Sequence, residues 1–330
     1  MKNKYSLLSL AGVCLYLLTA CSNSSDDQAD KKALEKVSLR LAWVYDMAEV
    51  GIFVAKDKGF YEERGLDLEI RPGGFGLDPF KLVANEEDDF GVGGAVNLLL
   101  AREKGIPVVA VAAEFQNTPV GFMTRENSGI DDFSDFKGKR VGVQTGSDTD
   151  TLFRALLSKS SLEESDIDLV PIQYSAVPFV AGKIDVLPGY VTNQPITLAS
   201  KGIDVNVITA ASQGFDVYGN VYFVKENRLA ENPESVEKFI QATLKGWKYA
   251  FNHPEEAVAA VSKRSDNFSE EDLRRIYNAV MPFVKGDDNS TQTLRMNREK
   301  WTNTYELLKA SGLSKQPEPV EDAFTLEMLK

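Results

Sequence analysis

Histidine and cysteine are almost missing from this 330-residue chain, which holds one histidine and two cysteines. That inventory leaves almost no room for a zinc site built from several histidines or for a Ser-His-Asp triad. The histidine, His253, stands in Asn252-His253-Pro254 and reads as a helix-boundary residue rather than a functional one. Long apolar runs are also lacking. The longest, Ser6 to Leu18, is too short to span a bilayer, and no later run reaches that length. Basic charge is scarce: 37 Lys and Arg stand against 49 Asp and Glu. Nucleic acid and anionic membrane surfaces both need a basic footprint, so neither is expected as a partner.

What is present begins at the N-terminus. Lys2 and Lys4 precede the uncharged stretch Ser6–Leu18, and the small residues Thr19 and Ala20 lead to Cys21. This is the layout of a secretory signal. Leu18-Thr19-Ala20-Cys21 resembles a bacterial lipobox, which implies cleavage before Cys21 and a diacylglycerol on its sulfur. Residues 1–20 would then be a lipoprotein signal peptide, and removing them would also remove Cys14. The mature chain would keep Cys21 alone, with no internal disulfide. Losing Lys2 and Lys4 would leave 35 basic against 49 acidic residues, a net charge of −14. Residues 21–36 are polar, poor in bulky side chains, and read as a flexible tether. The expected location is extracytoplasmic, lipid-anchored to the cell membrane or outer membrane.

From Val37 the pattern changes. Val37, Leu39, Leu41 and Trp43 alternate as in a half-buried strand. Residues 49–58 read as a helix, 66–70 as a strand, 77–84 as a helix, 90–93 as a buried strand and 96–104 as a helix. The continuous apolar run 107–113 fits a strand covered on both faces. The alternation restarts: strand 139–144, helix 149–158, strand 167–172, helix 177–182, strand 184–187, helix 195–201 and strand 205–209. Such βαβ spacing predicts largely parallel sheets. Residues 233–330 read as amphipathic helices, the first opened by Asn232 as N-cap and Pro233. The acidic run Glu86–Asp89 reads as a solvated helix end. Two α/β sets and a helical tail suggest two lobes: 37–123 with 222–330, and 124–221. The strand-like stretches Val120–Thr124 and Asn220–Val224 are expected to form the hinge.

Several segments then carry a recognisable pattern. Gly51-Ile52-Phe53-Val54-Ala55-Lys56-Asp57-Lys58-Gly59-Phe60-Tyr61 and its continuation to Ile70 resemble the opening of extracytoplasmic solute-binding proteins of the nitrate, taurine and thiamine-precursor type. Asp88–Val92, Lys104–Val109 and Phe136–Val143 fit the same order. Gly189–Pro195 is similar to a segment of the vitamin-precursor branch. The match covers roughly residues 38–225, and the tail agrees in helical character. The resemblance implies an α/β type II periplasmic-binding-protein fold, with two lobes, a ligand cleft between them and a helical C-terminal tail. It implies capture of a small molecule, delivery to an ABC permease, and no cofactor or metal. Ligands in such a family range over nitrate, sulfonates, formylaminopyrimidines and riboflavin. One relative makes the thiamine pyrimidine using its own histidine, a lysine-bound pyridoxal phosphate and a cysteine-rich motif. This chain lacks those thiols, and His253 lies beyond the recognised segment, so no enzyme activity is expected.

Ligands of open α/β sheets lie beyond the carboxyl ends of the strands. The loops there offer Trp43, Tyr45, Asp46 and Glu49, then Asn97, then Glu114, Phe115, Gln116 and Asn117. The second set offers Gly146, Ser147, Asp148 and Thr149, then Tyr190, Thr192 and Asn193, then Tyr218 and Asn220. Aromatic faces beside amides suit a flat heterocycle. Asp46, Glu49, Glu114 and Asp148 are acidic, and these loops hold no lysine or arginine. A sulfonate or nitrate would normally meet a cation. Gly146-Ser147 before a helix could bind an anion through backbone N–H groups, but Asp148 is placed to compete there. A neutral, N–H-rich ligand such as a thiamine pyrimidine precursor or riboflavin is therefore expected ahead of an anion. Arg125 or Arg154 reaching the cleft would weaken that argument.

Overall fold

The computed structural model describes residues 33–173, 175–286, 293–315 and 319–329. Cys21 and most of the expected tether lie outside them. Two five-stranded sheets organise the chain. The first contains β1 (Glu35–Arg40), β2 (Leu66–Arg71), β3 (Phe90–Gly94), β4 (Val108–Ala113) and β10 (Asn220–Lys225), in the order β2-β1-β3-β10-β4. The second contains β5 (Val120–Arg125), β6 (Arg140–Val143), β7 (Asp168–Pro171), β8 (Val186–Tyr190) and β9 (Val205–Thr209), ordered β7-β6-β8-β5-β9. The two orders are the same pattern. In each sheet one strand runs antiparallel to both its neighbours: β10 in the first and β5 in the second. Each is the strand that arrives from the other lobe.

The expected hinge strands therefore need correcting. Val120–Arg125 pairs along its length in the second sheet, and Asn220–Lys225 in the first. The chain passes between lobes in the loops 114–119 and 210–219, because β4 and β10 belong to the first sheet and β5 and β9 to the second. The first strand also starts earlier than expected. Glu35 and Lys36, assigned to the tether, pair with Leu66 and Asp67.

The helices are α1 (Val50–Asp57), α2 (Pro79–Ala84), α3 (Ala95–Glu103), α4 (Asp148–Lys159), α5 (Val177–Val180), α6 (Gln194–Ala199), α7 (Glu226–Glu231), α8 (Pro233–Asn252), α9 (Pro254–Ser262), α10 (Glu270–Lys285) and α11 (Arg298–Ala310). Asn232 caps α8 by accepting the Ser235 N–H at 3.2 Å. The first core packs α1, α8, α9 and α10 around the sheet, with Phe53, Phe90, Phe239 and Trp247 fully enclosed. Close approach of α1 and α8 depends on two glycines: a Cβ on Gly51 would enter the Trp247 ring, and one on Gly246 would strike the Gly51 carbonyl. The acidic run at 86–89 is solvated only in its first half, where Glu86 and Glu87 are exposed. Asp88 is buried and binds Arg40 at 2.8 Å and Arg71 at 3.0 Å, while Asp89 takes Arg228 at 2.6 Å.

Candidate ligand-binding site

Parallel strands deliver their carboxyl ends to one side of a sheet, and the antiparallel β10 begins at that same side. Asn220 pairs with Gly94 at the end of β3, and Val221 with Ala113 at the end of β4. Asn220 therefore meets the loop carrying Glu114. Glu114 is fully buried; its Oε1 accepts the Tyr222 hydroxyl at 2.5 Å and its Oε2 the Asn220 amide at 3.3 Å. Tyr222 accepts the Trp247 indole N–H at 3.1 Å. The chain Trp247–Tyr222–Glu114 thus runs from α8 into the site.

Asp46 and Glu49 come from the turn after β1. Asp46 caps it by accepting the Ala48 N–H at 2.7 Å. Glu49 is 1% exposed, and its Oε2 is sealed without a partner. Burial, then the Asp46 and Glu114 charges, push the Glu49 carboxyl well above its ordinary range. Burial raises Glu114 to about 8 against the pull of Tyr222 and Asn220. Asp46 is raised by burial as well.

The second lobe meets this group directly. The Tyr190 hydroxyl lies 3.2 Å from Asp148 Oδ2 and 3.2 Å from Asn220 Oδ1. Asp148 lies so close to Gly94 that any side chain there would collide with its carboxylate, and its Oδ1 is sealed without a partner. Burial raises Asp148 to about 6, with Tyr190 and Asn97 pulling the other way. Asn97 Oδ1 accepts the Thr151 hydroxyl at 2.8 Å, and its amide reaches the Gly146 carbonyl at 3.4 Å. Phe115 is buried and packs edge-to-face with Tyr190, centroids 6.5 Å apart.

The start of α4 differs in detail from the sequence reading. Ser147 is the cap, taking the Asp150 N–H at 3.2 Å and bonding Thr149 at 2.8 Å. Asp150, not Asp148, acts as the internal anion: it accepts the Gly146 N–H at 3.0 Å and Arg154 at 2.8 Å. Asp148 is left free to turn toward Gly94.

Other expected residues point elsewhere. Tyr45 donates to the Ile70 carbonyl at 2.9 Å and packs edge-on against Phe53. Gln116 donates to the carbonyls of Ala113 and Arg295. Tyr218 accepts the Asn297 N–H at 2.9 Å, under the Lys300 ammonium. Asn193 accepts the Thr197 hydroxyl at 2.9 Å, and Thr192 is buried. Trp43 is partly buried, its carbonyl holding the Gly73 N–H at 2.8 Å. Arg125 donates to the Phe179 and Val180 carbonyls, and Arg154 binds Asp150 and Glu164, so neither joins the acidic group. Among the described residues, no lysine, arginine or histidine forms an ion pair with Asp46, Glu49, Glu114 or Asp148. Tyr222 and Trp247 were missed. Tyr222 shares a strand face with Asn220 two residues before it, so alternation could have found it; nothing local marks Trp247.

Two α/β lobes meeting at the carboxyl ends of their sheets define a periplasmic-binding-protein fold. The alkanesulfonate-binding protein SsuA from Xanthomonas axonopodis pv. citri, solved with MOPS bound, superposes with a TM-score of 0.71 at 15% identity, covering 89% of this chain and 99% of that one. The chain belongs to the NMT1/THI5 like family, whose profile matches residues 47–257. It is 27% identical to the riboflavin-binding protein RibY of Chloroflexus aurantiacus, over 99% of this chain and 98% of that protein. It is 22% identical to a formylaminopyrimidine-binding protein of Halalkalibacterium halodurans, over 97% and 98%. A third relative, 25% identical over 75% of this chain and 79% of its own, is a 4-amino-5-hydroxymethyl-2-methylpyrimidine phosphate synthase of Legionella pneumophila. The family match extends past residue 225 and takes in His253.

Proposed function

We propose that the chain is the substrate-binding component of an ABC importer, lipid-anchored through Cys21, that captures an aromatic heterocycle rich in N–H donors. Riboflavin-like and thiamine-pyrimidine-like molecules are the candidates. The observation that carries this reading is the group Asp46, Glu49, Glu114 and Asp148 at the lobe junction, which forms no ion pair with a cation among the described residues. Buried carboxylates without cationic partners are costly. Ring N–H and amino groups would satisfy them, whereas a sulfonate or nitrate would add like charge. The names of two relatives, a riboflavin binder and a formylaminopyrimidine binder, support the same class. The lobes would be built around the two sheets, with loops 114–119 and 210–219 as the hinge.

The synthase reading finds less support. His253 is solvent-exposed, stacked on Tyr249 at 3.8 Å, and its Nδ1 is bonded to the Tyr249 carbonyl, whereas Glu49 and Glu114 are buried. Mass spectrometry of ligand released from denatured protein, followed by calorimetry with riboflavin, formylaminopyrimidine and MOPS, tests the ligand class. Recovery of a heterocycle is expected; tight binding of MOPS alone would overturn it. For the anchor, radiolabelled palmitate should enter the wild-type chain and not C21S, which should leave the membrane fraction. Unlabelled wild-type protein would refute lipidation.

A further inference from the structure

We infer that one added proton, carried on Asp148, completes the hydrogen-bond chain that closes the two lobes against each other, and that the lobes part when it is lost. The inference concerns the protein without ligand and rests only on the hinge proposed above.

Four side chains run across the junction. Glu114 Oε2 and the Asn220 amide lie 3.3 Å apart, Asn220 and the Tyr190 hydroxyl 3.2 Å, and that hydroxyl and Asp148 Oδ2 3.2 Å. Each of these three contacts needs one hydrogen. The Asn220 amide donates on one side only, because its other side is a carbonyl oxygen, and a tyrosine hydroxyl holds a single hydrogen. An ionised carboxylate only accepts. With both acids ionised, two hydrogens therefore serve three contacts. Turning the amide does not change the count; it moves the vacancy from Asp148 Oδ2 to Glu114 Oε2. In this structure the amide nitrogen faces Glu114, Tyr190 then serves Asn220, and the missing hydrogen belongs on Asp148. The Tyr222 hydroxyl is already committed to Glu114 Oε1.

The charged groups on the surrounding elements are engaged elsewhere or carry the wrong sign. On α4, Arg154 binds Asp150 and Glu164, and Lys159 lies over Phe215. On β5, which packs against α4, Arg125 binds the Phe179 and Val180 carbonyls. On α3, Gly94 and Asn97 face Asp148, while Arg102 pairs with Glu226. Around Glu114 stand the acids Asp46 and Glu49 and the phenol Tyr222, with Tyr61 bonded to Thr243. On α10, Arg274 and Arg275 are paired with Glu255 and Glu271, and Lys285 lies over Phe251. Lys300 of α11 holds Asn117 and Asp216. Burial, which raises Asp148 to about 6 and Glu114 to about 8, acts in the same direction as the hydrogen count. The other polar contacts between the lobes, from the Thr151 hydroxyl to Asn97 and from the Asn97 amide to the Gly146 carbonyl, carry their own hydrogens at every pH. When the Asp148 O–H bond breaks, its proton passes to water. Tyr190 must then choose between Asp148 and the buried Asn220, and the acceptor it leaves is unmet.

The test is small-angle scattering of the ligand-free full chain from pH 5 to 9, with far-ultraviolet circular dichroism to show that the fold persists. The radius of gyration should grow with pH along a one-proton curve, the ratio of open to closed protein rising toward about tenfold per pH unit. D148N supplies an amide hydrogen in place of the proton, so it should stay compact through pH 9. Y190F removes the middle of the chain and should be open throughout. A wild-type radius that is level with pH overturns the inference and needs no variant to fold. A D148N protein that opens along the wild-type curve overturns it as well. If riboflavin contracts the protein while pH does not, the hinge and the capture reading stand and the proton alone falls.

Discussion

At the residue scale, the raised carboxyls set how stability varies with pH. Glu114 titrates at about 8 in the folded protein and Asp148 at about 6, against ordinary values of 4.5 and 3.8. Between those limits the folded chain holds more protons than the unfolded one. Their contribution is complete below the ordinary carboxylate range and is lost as pH rises through 6 and 8. Asp57 and Asp185, whose arginine partners hold them low, act in the opposite sense: their stabilisation is present above the ordinary value and lost in acid. From pH 5.5 to 8.5 the raised groups therefore govern. The melting temperature of the ligand-free protein should fall across that window, by about 2–4 °C for each kcal/mol lost. E114Q should flatten much of the fall. A wild-type melting temperature that is level or rising over this range would refute the buried-proton assignment.

At the scale of elements, alternation and turn residues carried most of the strand and helix order. β1 to β4 and β6 to β9 fall within a few residues of the stretches expected from sequence. Direction did not follow in the same way. Period-two alternation is identical in a parallel and an antiparallel strand, so β5 and β10 read as free crossings when they are interior strands of the two sheets. The acidic group at the lobe junction was legible in part for a related reason. Loop position after each strand pointed to Asp46, Glu49, Glu114 and Asp148, because strand ends are visible in sequence. Side-chain direction is not: Tyr45, Gln116 and Tyr218 occupy equivalent loops but turn to backbone or to the tail. Trp247 lies almost two hundred residues from Gly51, and only the folded α1–α8 contact shows why both are needed.

At the scale of the whole molecule, the tail does more than cover the first sheet. Lys300, on α11, donates to Asn117 at 2.6 Å and to Asp216 at 2.6 Å. Asn117 lies in the first loop between the lobes and Asp216 in the second, so one ammonium ties both. It does so while the lobes touch through Thr151–Asn97, Tyr190–Asn220 and Asp148 against Gly94. Asp216 is 75% exposed, so the ion pair itself should add no more than about 1 kcal/mol to folding. Its larger effect should fall on the balance between open and closed lobes, where a small free energy changes populations severalfold. K300M should therefore melt close to wild type. It should also show a larger radius of gyration by small-angle scattering, and it should release its bound ligand faster in stopped-flow displacement. Unchanged scattering together with an unchanged release rate would show that the two loops hold their geometry without the tail.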